Sequence, residues 1–137
     1  MVTKREFPRA KLPASILCAF LATVAIAPTR AKAQPQTTQA VSLWPGASTT
    51  IVLRENPSTG FRWRLDMTRS TNLSIIRVID RGYRAGQNGL IGAPGSHRWE
   101  IKARAAGAAS AAFIYARSWE QRPPAETHFV QVNVSRR

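Results

Sequence analysis

The stretch "RENPSTGFRWRL", residues 54–65, packs a loop and the start of a strand into twelve residues. From Phe61 the pattern alternates. Phe61, Trp63 and Leu65 fall on one side, and Arg62, Arg64 and Asp66 on the other. A period of two is the signature of a half-buried β-strand. The five residues before it, Asn56 to Gly60, are turn formers. Pro57 fixes its own φ and pushes Asn56 out of the α region, and Gly60 allows a backbone angle that side chains resist.

The same period runs through the chain. "STTIVLRE" puts Ile51 and Leu53 on one face, and "LSIIRVID" sets Ile76 and Val78 against Ile75, Arg77 and Ile79. "HRWEIKAR" sets Trp99, Ile101 and Ala103 against Arg98, Glu100, Lys102 and Arg104. "SAAFIYAR" aligns Phe113 with Tyr115, and "HFVQVNV" aligns Val130, Val132 and Val134. "AVSLW", residues 40–44, can add an edge strand. Clusters of Gly, Pro, Asn and Ser separate these runs. The alanine-rich 103–112 stretch is broken by Gly107 and reads as a turn between strands. The expected fold is all-β: an Ig-like β-sandwich of about seven antiparallel strands, each sheet burying one face against the other.

The N-terminus reads differently. "MVTKREFPRAK" is basic, "LPASILCAFLATVAIAP" is apolar and Ala-rich, and "AKA" at residues 31–33 is a small-x-small site. Together they predict a signal peptide over residues 1–33, cleaved before Gln34. The competing reading is a membrane anchor, disfavoured by Pro28 and the small-residue site that close the apolar run. Cys18, the single cysteine, lies in the apolar run, and the residues before it do not fit lipidation. The mature chain then has no disulfide, no thiolate and no Cys-ligated metal, which suggests a periplasmic or secreted protein. Residues 34–40 are expected to form a flexible leader and residues 41–137 the folded domain.

Removing residues 1–33 leaves 14 basic and 6 acidic residues, a net of +8. Thirteen of the basic residues are arginine. Such charge attracts nucleic acid, anionic lipid or an acidic protein. Their dispersal along the sequence favours instead a soluble arginine-rich surface, with no nucleic acid partner expected.

Catalysis is poorly served. His97 and His128 are the only histidines, neither in a metal spacing, and each reads as a surface residue at a strand start. Ser96 and His97 are strand neighbours and point to opposite faces, so they cannot pair as nucleophile and base. "GLIGAPG" lacks the ending of a phosphate-binding loop. No enzyme, metal or cofactor is implied.

Three loops remain: Asn56–Gly60, residues 86–96 and residues 116–126. In an Ig-like strand order these are the B–C, D–E and F–G connections, which meet at one end of the sandwich. The first frames Ser58 and Thr59 between stiff ends, so docking costs it little entropy. The third carries Arg117 and Trp119, residue types enriched at binding hot spots. Trp63 and Trp99 belong to the core.

In order, "NPSTGFRW", "GAPG" and "RSW" resemble the chagasin family of cysteine-protease inhibitors over about Val41 to Val134. The family pattern is an N-P-[ST]-T-G-[YF]-x-W loop, a glycine-rich loop and an R-P-W loop. Ser118 stands where the family has proline. The resemblance implies a reversible inhibitor, expected to be a monomer, whose loops plug the cleft of a papain-like cysteine protease. Asn56, Pro57, Ser58, Thr59, Gly60 and Phe61 would form the central wedge, with Thr59 nearest the catalytic Cys–His pair. Gly92, Ala93, Pro94 and Gly95 would grip one side, and Arg117, Ser118 and Trp119 the other. The alternative is an Ig-like interaction module without inhibitory activity.

Overall fold

A computed structural model describes residues 33–86, 90 and 92–136. The expected signal peptide, apart from Ala33, lies outside the described residues, as do Gln87–Gly89 and Ile91 of the second loop.

Among the described residues, seven strands form two sheets. They are β1 (Gln36–Leu43), β2 (Ser48–Glu55), β3 (Arg62–Thr71), β4 (Ile76–Arg84), β5 (Gly95–Ala103), β6 (Gly107–Ala116) and β7 (Glu126–Val134). One sheet has the order β1-β7-β6-β3 and the other β2-β5-β4. This is the expected all-β sandwich. Its core is where the alternation places it. Ile51, Leu53, Ile76, Trp99 and Ile101 of the three-stranded sheet face Trp63, Phe113, Val130, Val132 and Val134 of the four-stranded one. Each such side chain contributes roughly 1.5–3 kcal/mol on full burial, so a core of this size holds without cross-links.

Three expectations about the strands need correction. The strands are not all antiparallel: β1 runs parallel to β7, from Gln36 opposite Thr127 to Leu43 opposite Val134. Every connection reverses the chain, so odd-numbered strands point one way. When β1 and β7 become neighbours they must therefore be parallel. Second, β1 begins at Gln36, inside the stretch expected to be a mobile leader. Its Thr and Gln side chains are exposed and show no apolar period, but backbone pairing with β7 holds them. Third, the turn expected in the alanine run spans only residues 104–106, and β6 starts at Gly107, so the rest of the run is strand. Ala109, Ala111 and Ala112 are buried there, where only small side chains fit.

Neither histidine is the surface residue expected. His97 is buried in β5, stacked on Trp99 at 4.9 Å between centroids. His128 is half-buried in β7, and its Nε2 is enclosed without a hydrogen-bond partner. Burial holds the His128 imidazole below its ordinary value of 6.5. A histidine favoured as the neutral ring contributes stability that is full above about pH 6.5 and is lost as pH falls through the lower folded value. Thermal melts should therefore show His128→Gln losing less stability than the parent on acidification below about pH 6.5. Parallel curves for the two proteins would contradict this assignment.

Candidate functional site

The first loop is built from its own polar atoms. Pro57–Thr59 form one 3-10 turn, with Asn56 as its cap. The Asn56 Oδ1 accepts from the Ser58 N–H at 3.3 Å and from the Ser58 hydroxyl at 2.6 Å. The Asn56 carbonyl accepts from the Thr59 hydroxyl at 2.7 Å and the Thr59 N–H at 3.2 Å. The Gly60 N–H closes the turn on the Pro57 carbonyl at 3.0 Å. Gly60 leaves it with φ +79°, where a side chain would be strained. Ser58 and Thr59 are the exposed tip.

The base of the loop is tied down more firmly. Glu55 is fully buried, and its Oε2 accepts the Trp63 N–H at 2.9 Å, joining the strands on either side of the loop. The same oxygen meets His97 Nδ1 at 3.1 Å, while His97 Nε2 meets Asp80 Oδ1 at 2.7 Å. Arg62 stands 3.6 Å from Glu55 Oε1, within ion-pair reach but too far for a hydrogen bond. A second clasp comes from β6. The Tyr115 hydroxyl accepts the Asn56 N–H at 3.0 Å, and its ring stacks on both Phe61 and Trp63. The Trp63 indole N–H reaches the Arg54 carbonyl at 2.8 Å.

The three loops meet. Arg117 donates from Nε to the Thr59 carbonyl at 2.9 Å and pairs with Glu120 at 2.8 Å. Its guanidinium lies 4.4 Å from the centre of the Phe61 ring. Trp119 is 68% exposed and lies over Gly60: a Cβ there would stand 2.5 Å from the indole edge. Gly60 thus serves the turn and the neighbouring ring together. On the other flank, a Cβ on Gly92 would lie 3.9 Å from the Ser58 hydroxyl. Ala93 donates its N–H to the carbonyl of Leu90, which is 71% exposed.

Most of the expected site residues therefore share one end of the sandwich. Asn56, Pro57, Ser58, Thr59, Gly60 and Phe61 form the middle, Arg117, Ser118 and Trp119 one side, and Gly92, Ala93 and Pro94 the other. Gly95 belongs to β5, opposite Glu55, and packs tightly on the Arg84 carbonyl and Tyr83. Its lack of a side chain is a packing requirement. Ser118 and Trp119 occupy the middle of a turn closed by the Glu120 N–H on the Arg117 carbonyl at 3.3 Å. Sequence reasoning passed over Glu55, His97 and Tyr115, which position the loop without belonging to it.

Removing the Glu55 carboxylate leaves the Trp63 N–H and His97 facing a buried gap. Glu55→Ala is expected to cost about 3 kcal/mol in urea unfolding, whereas Arg62→Ala, at the exposed end of the pair, costs less than about 1 kcal/mol. Equal costs would mean that the clasp does not depend on the buried carboxylate.

Residues 42–134 match the Chagasin family peptidase inhibitor I42. No curated protein matches the chain. Solved structures share its fold. PbICP-C, solved in complex with falcipain-2, is 24% identical with a TM-score of 0.59, over 74% of this chain and 91% of that one. The cysteine protease inhibitor EhICP2 from Entamoeba histolytica is 22% identical with a TM-score of 0.56, over 74% and 88%. The Leishmania mexicana ICP is 25% identical with a TM-score of 0.52, over 82% and 99%. With its seven-stranded sandwich and a family match spanning β2 to β7, this chain belongs to the chagasin family of peptidase inhibitors.

Proposed function

We propose that the chain is an exported, monomeric, reversible inhibitor of papain-like cysteine proteases, and that it acts by filling the active-site cleft with the three loops. The observation that carries this reading is the loop Asn56–Gly60: rigidly framed at its base, exposed only at Ser58 and Thr59, and flanked by Trp119. The complex of PbICP-C with falcipain-2 and the inhibitor EhICP2 support a cysteine protease as partner.

A thiolate protease needs a carbonyl held in its oxyanion site at attack distance. Here three carbonyls of the loop are already engaged. The Asn56 carbonyl takes the Thr59 N–H and hydroxyl, the Pro57 carbonyl takes the Gly60 N–H, and the Thr59 carbonyl takes Arg117. A loop closed into a 3-10 turn, with these three carbonyls held internally, can occupy the cleft without presenting the extended backbone that a substrate offers for attack. Occlusion is then stable and no covalent bond forms. Because the turn is prepaid in the free protein, binding loses little to ordering. Trp119 and Arg117 supply the anchoring contacts on one side, and Gly92–Pro94, beside exposed Leu90, those on the other.

Titration of residues 34–137 against papain tests the reading. Tight, reversible loss of activity is expected, and Thr59→Arg should weaken it at least tenfold, a change of about 1.4 kcal/mol, without moving the melting temperature. A folded protein that leaves papain and a cathepsin-type enzyme fully active at micromolar concentration favours the interaction-module alternative. Ser118 gives a second test in the same assay. Proline suits the second position of a turn and restricts the unbound loop. Ser118→Pro should therefore tighten inhibition by roughly two- to fivefold, and weaker inhibition would show that this turn must flex to dock.

A further inference from the structure

The arginines that are dispersed along the sequence gather in space. On β2, β5 and β4 the inward positions hold the core, so the alternate positions share the outer face. Strand register aligns them in rows. Arg54 lies beside Ser96, which lies beside Arg84, and Lys102 lies beside Arg77. Arg98 lies beside Val52 on β2. Arg81 joins the same face through its ion pair with Glu100. Six cations thus stand on a patch that strand spacing makes about 20 Å long and 10 Å wide. Only two carboxylates accompany them, and both are engaged: Glu100 with Arg81, and Asp80, at the β4 edge, with His97 and the Gly82 N–H.

We infer that this outer face of the three-stranded sheet docks on the anionic surface of a lipid bilayer. The face is a sheet surface with short side chains between its cations: Ser48, Thr50, Val52 and Ser96. A broad array of guanidinium groups matches a plane of phosphate headgroups, which arginine grips bidentately. Nucleic acid is the poorer fit. The face offers no exposed aromatic platform for stacking bases and no helix or ribbon to enter a groove. Val52, 56% exposed at the centre, can settle against the headgroup layer. The loop end of the sandwich lies at the tips of these strands, not on their face, so a membrane-docked domain still presents Ser58, Thr59 and Trp119.

The test is sedimentation with vesicles. Residues 34–137 contain every strand and its pairing partners and omit the apolar N-terminal stretch, which would itself enter lipid. At about 0.1 M salt the protein should sediment with phosphatidylglycerol vesicles and not with phosphatidylcholine. Each cation near such a surface is worth about fivefold in partitioning. The variant Arg54→Glu, Arg84→Glu, Arg98→Glu should therefore bind at least roughly a hundredfold more weakly. The charge-matched control Arg64→Glu, Arg122→Glu, Arg136→Glu, off this face, should stay within about tenfold of the parent. If the first variant fails to fold, Arg84→Gln with Arg98→Gln replaces it, with an expected loss of roughly 25-fold. No binding to phosphatidylglycerol, equal loss in the two charge-matched variants, or tighter binding to duplex DNA through the same arginines would overturn the proposal.

Discussion

Everything at the loop end depends on one buried acceptor. The Glu55 carboxylate takes the Trp63 N–H, so the chain leaving β2 and the chain entering β3 are held together beneath the loop. These two strands lie in different sheets, and no strand-to-strand ladder joins them there. A carboxylate removed from water is costly unless it is surrounded by donors and charge. Here His97 and Arg62 supply what Trp63 does not. The polar cluster therefore sits at the mouth of the sandwich for a geometric reason. It bridges the crossing from β2 to β3, between the two sheets, from which the loop emerges.

Tyr115 repeats this logic from the other side. Its ring lies between Phe61 and Trp63, and its hydroxyl holds the Asn56 N–H. Arg117, two residues on and just past the end of β6, then reaches the Thr59 carbonyl. One short segment thus fixes both the root and the rim of the loop. The third loop is coupled to the first by a backbone carbonyl and an aromatic face, so the two form a single surface. The outer face of the three-stranded sheet meets this clasp only through the Arg54 backbone carbonyl and Asp80. Its arginine side chains make no hydrogen bond or ion pair with the described residues of the loop, which lets one small domain carry two separable surfaces.

The sandwich was legible because its strands are amphipathic at period two, and Trp63, Trp99, Phe113 and Val132 went inward as their spacing required. The convergence of the three loops was legible from strand order alone. Two kinds of feature were not. β1 is a polar edge strand whose order comes from backbone pairing with β7, and periodicity is blind to that. Glu55 and His97 were visible in principle. Glu55 continues the inward series of Ile51 and Leu53, and His97 that of Trp99 and Ile101. A charged residue in an inward register is the signal that a buried polar network is present, but its partners come from distant strands and only the folded register supplies them. Gly95 and Gly60 show a related limit. Both look like turn glycines in the sequence, yet one is needed for packing in β5 and the other also makes room for Trp119.

The central claim is that the wedge is rigid before it meets a partner. Backbone 15N relaxation of the free domain measures this directly at the Ser58, Thr59 and Gly60 amides. The clasp by Glu55, Tyr115 and Arg117 predicts order parameters close to those of the flanking strands, about 0.85. Values below about 0.6 at these three residues, with the strands rigid, would show that the loop is ordered only by its target and would contradict the account.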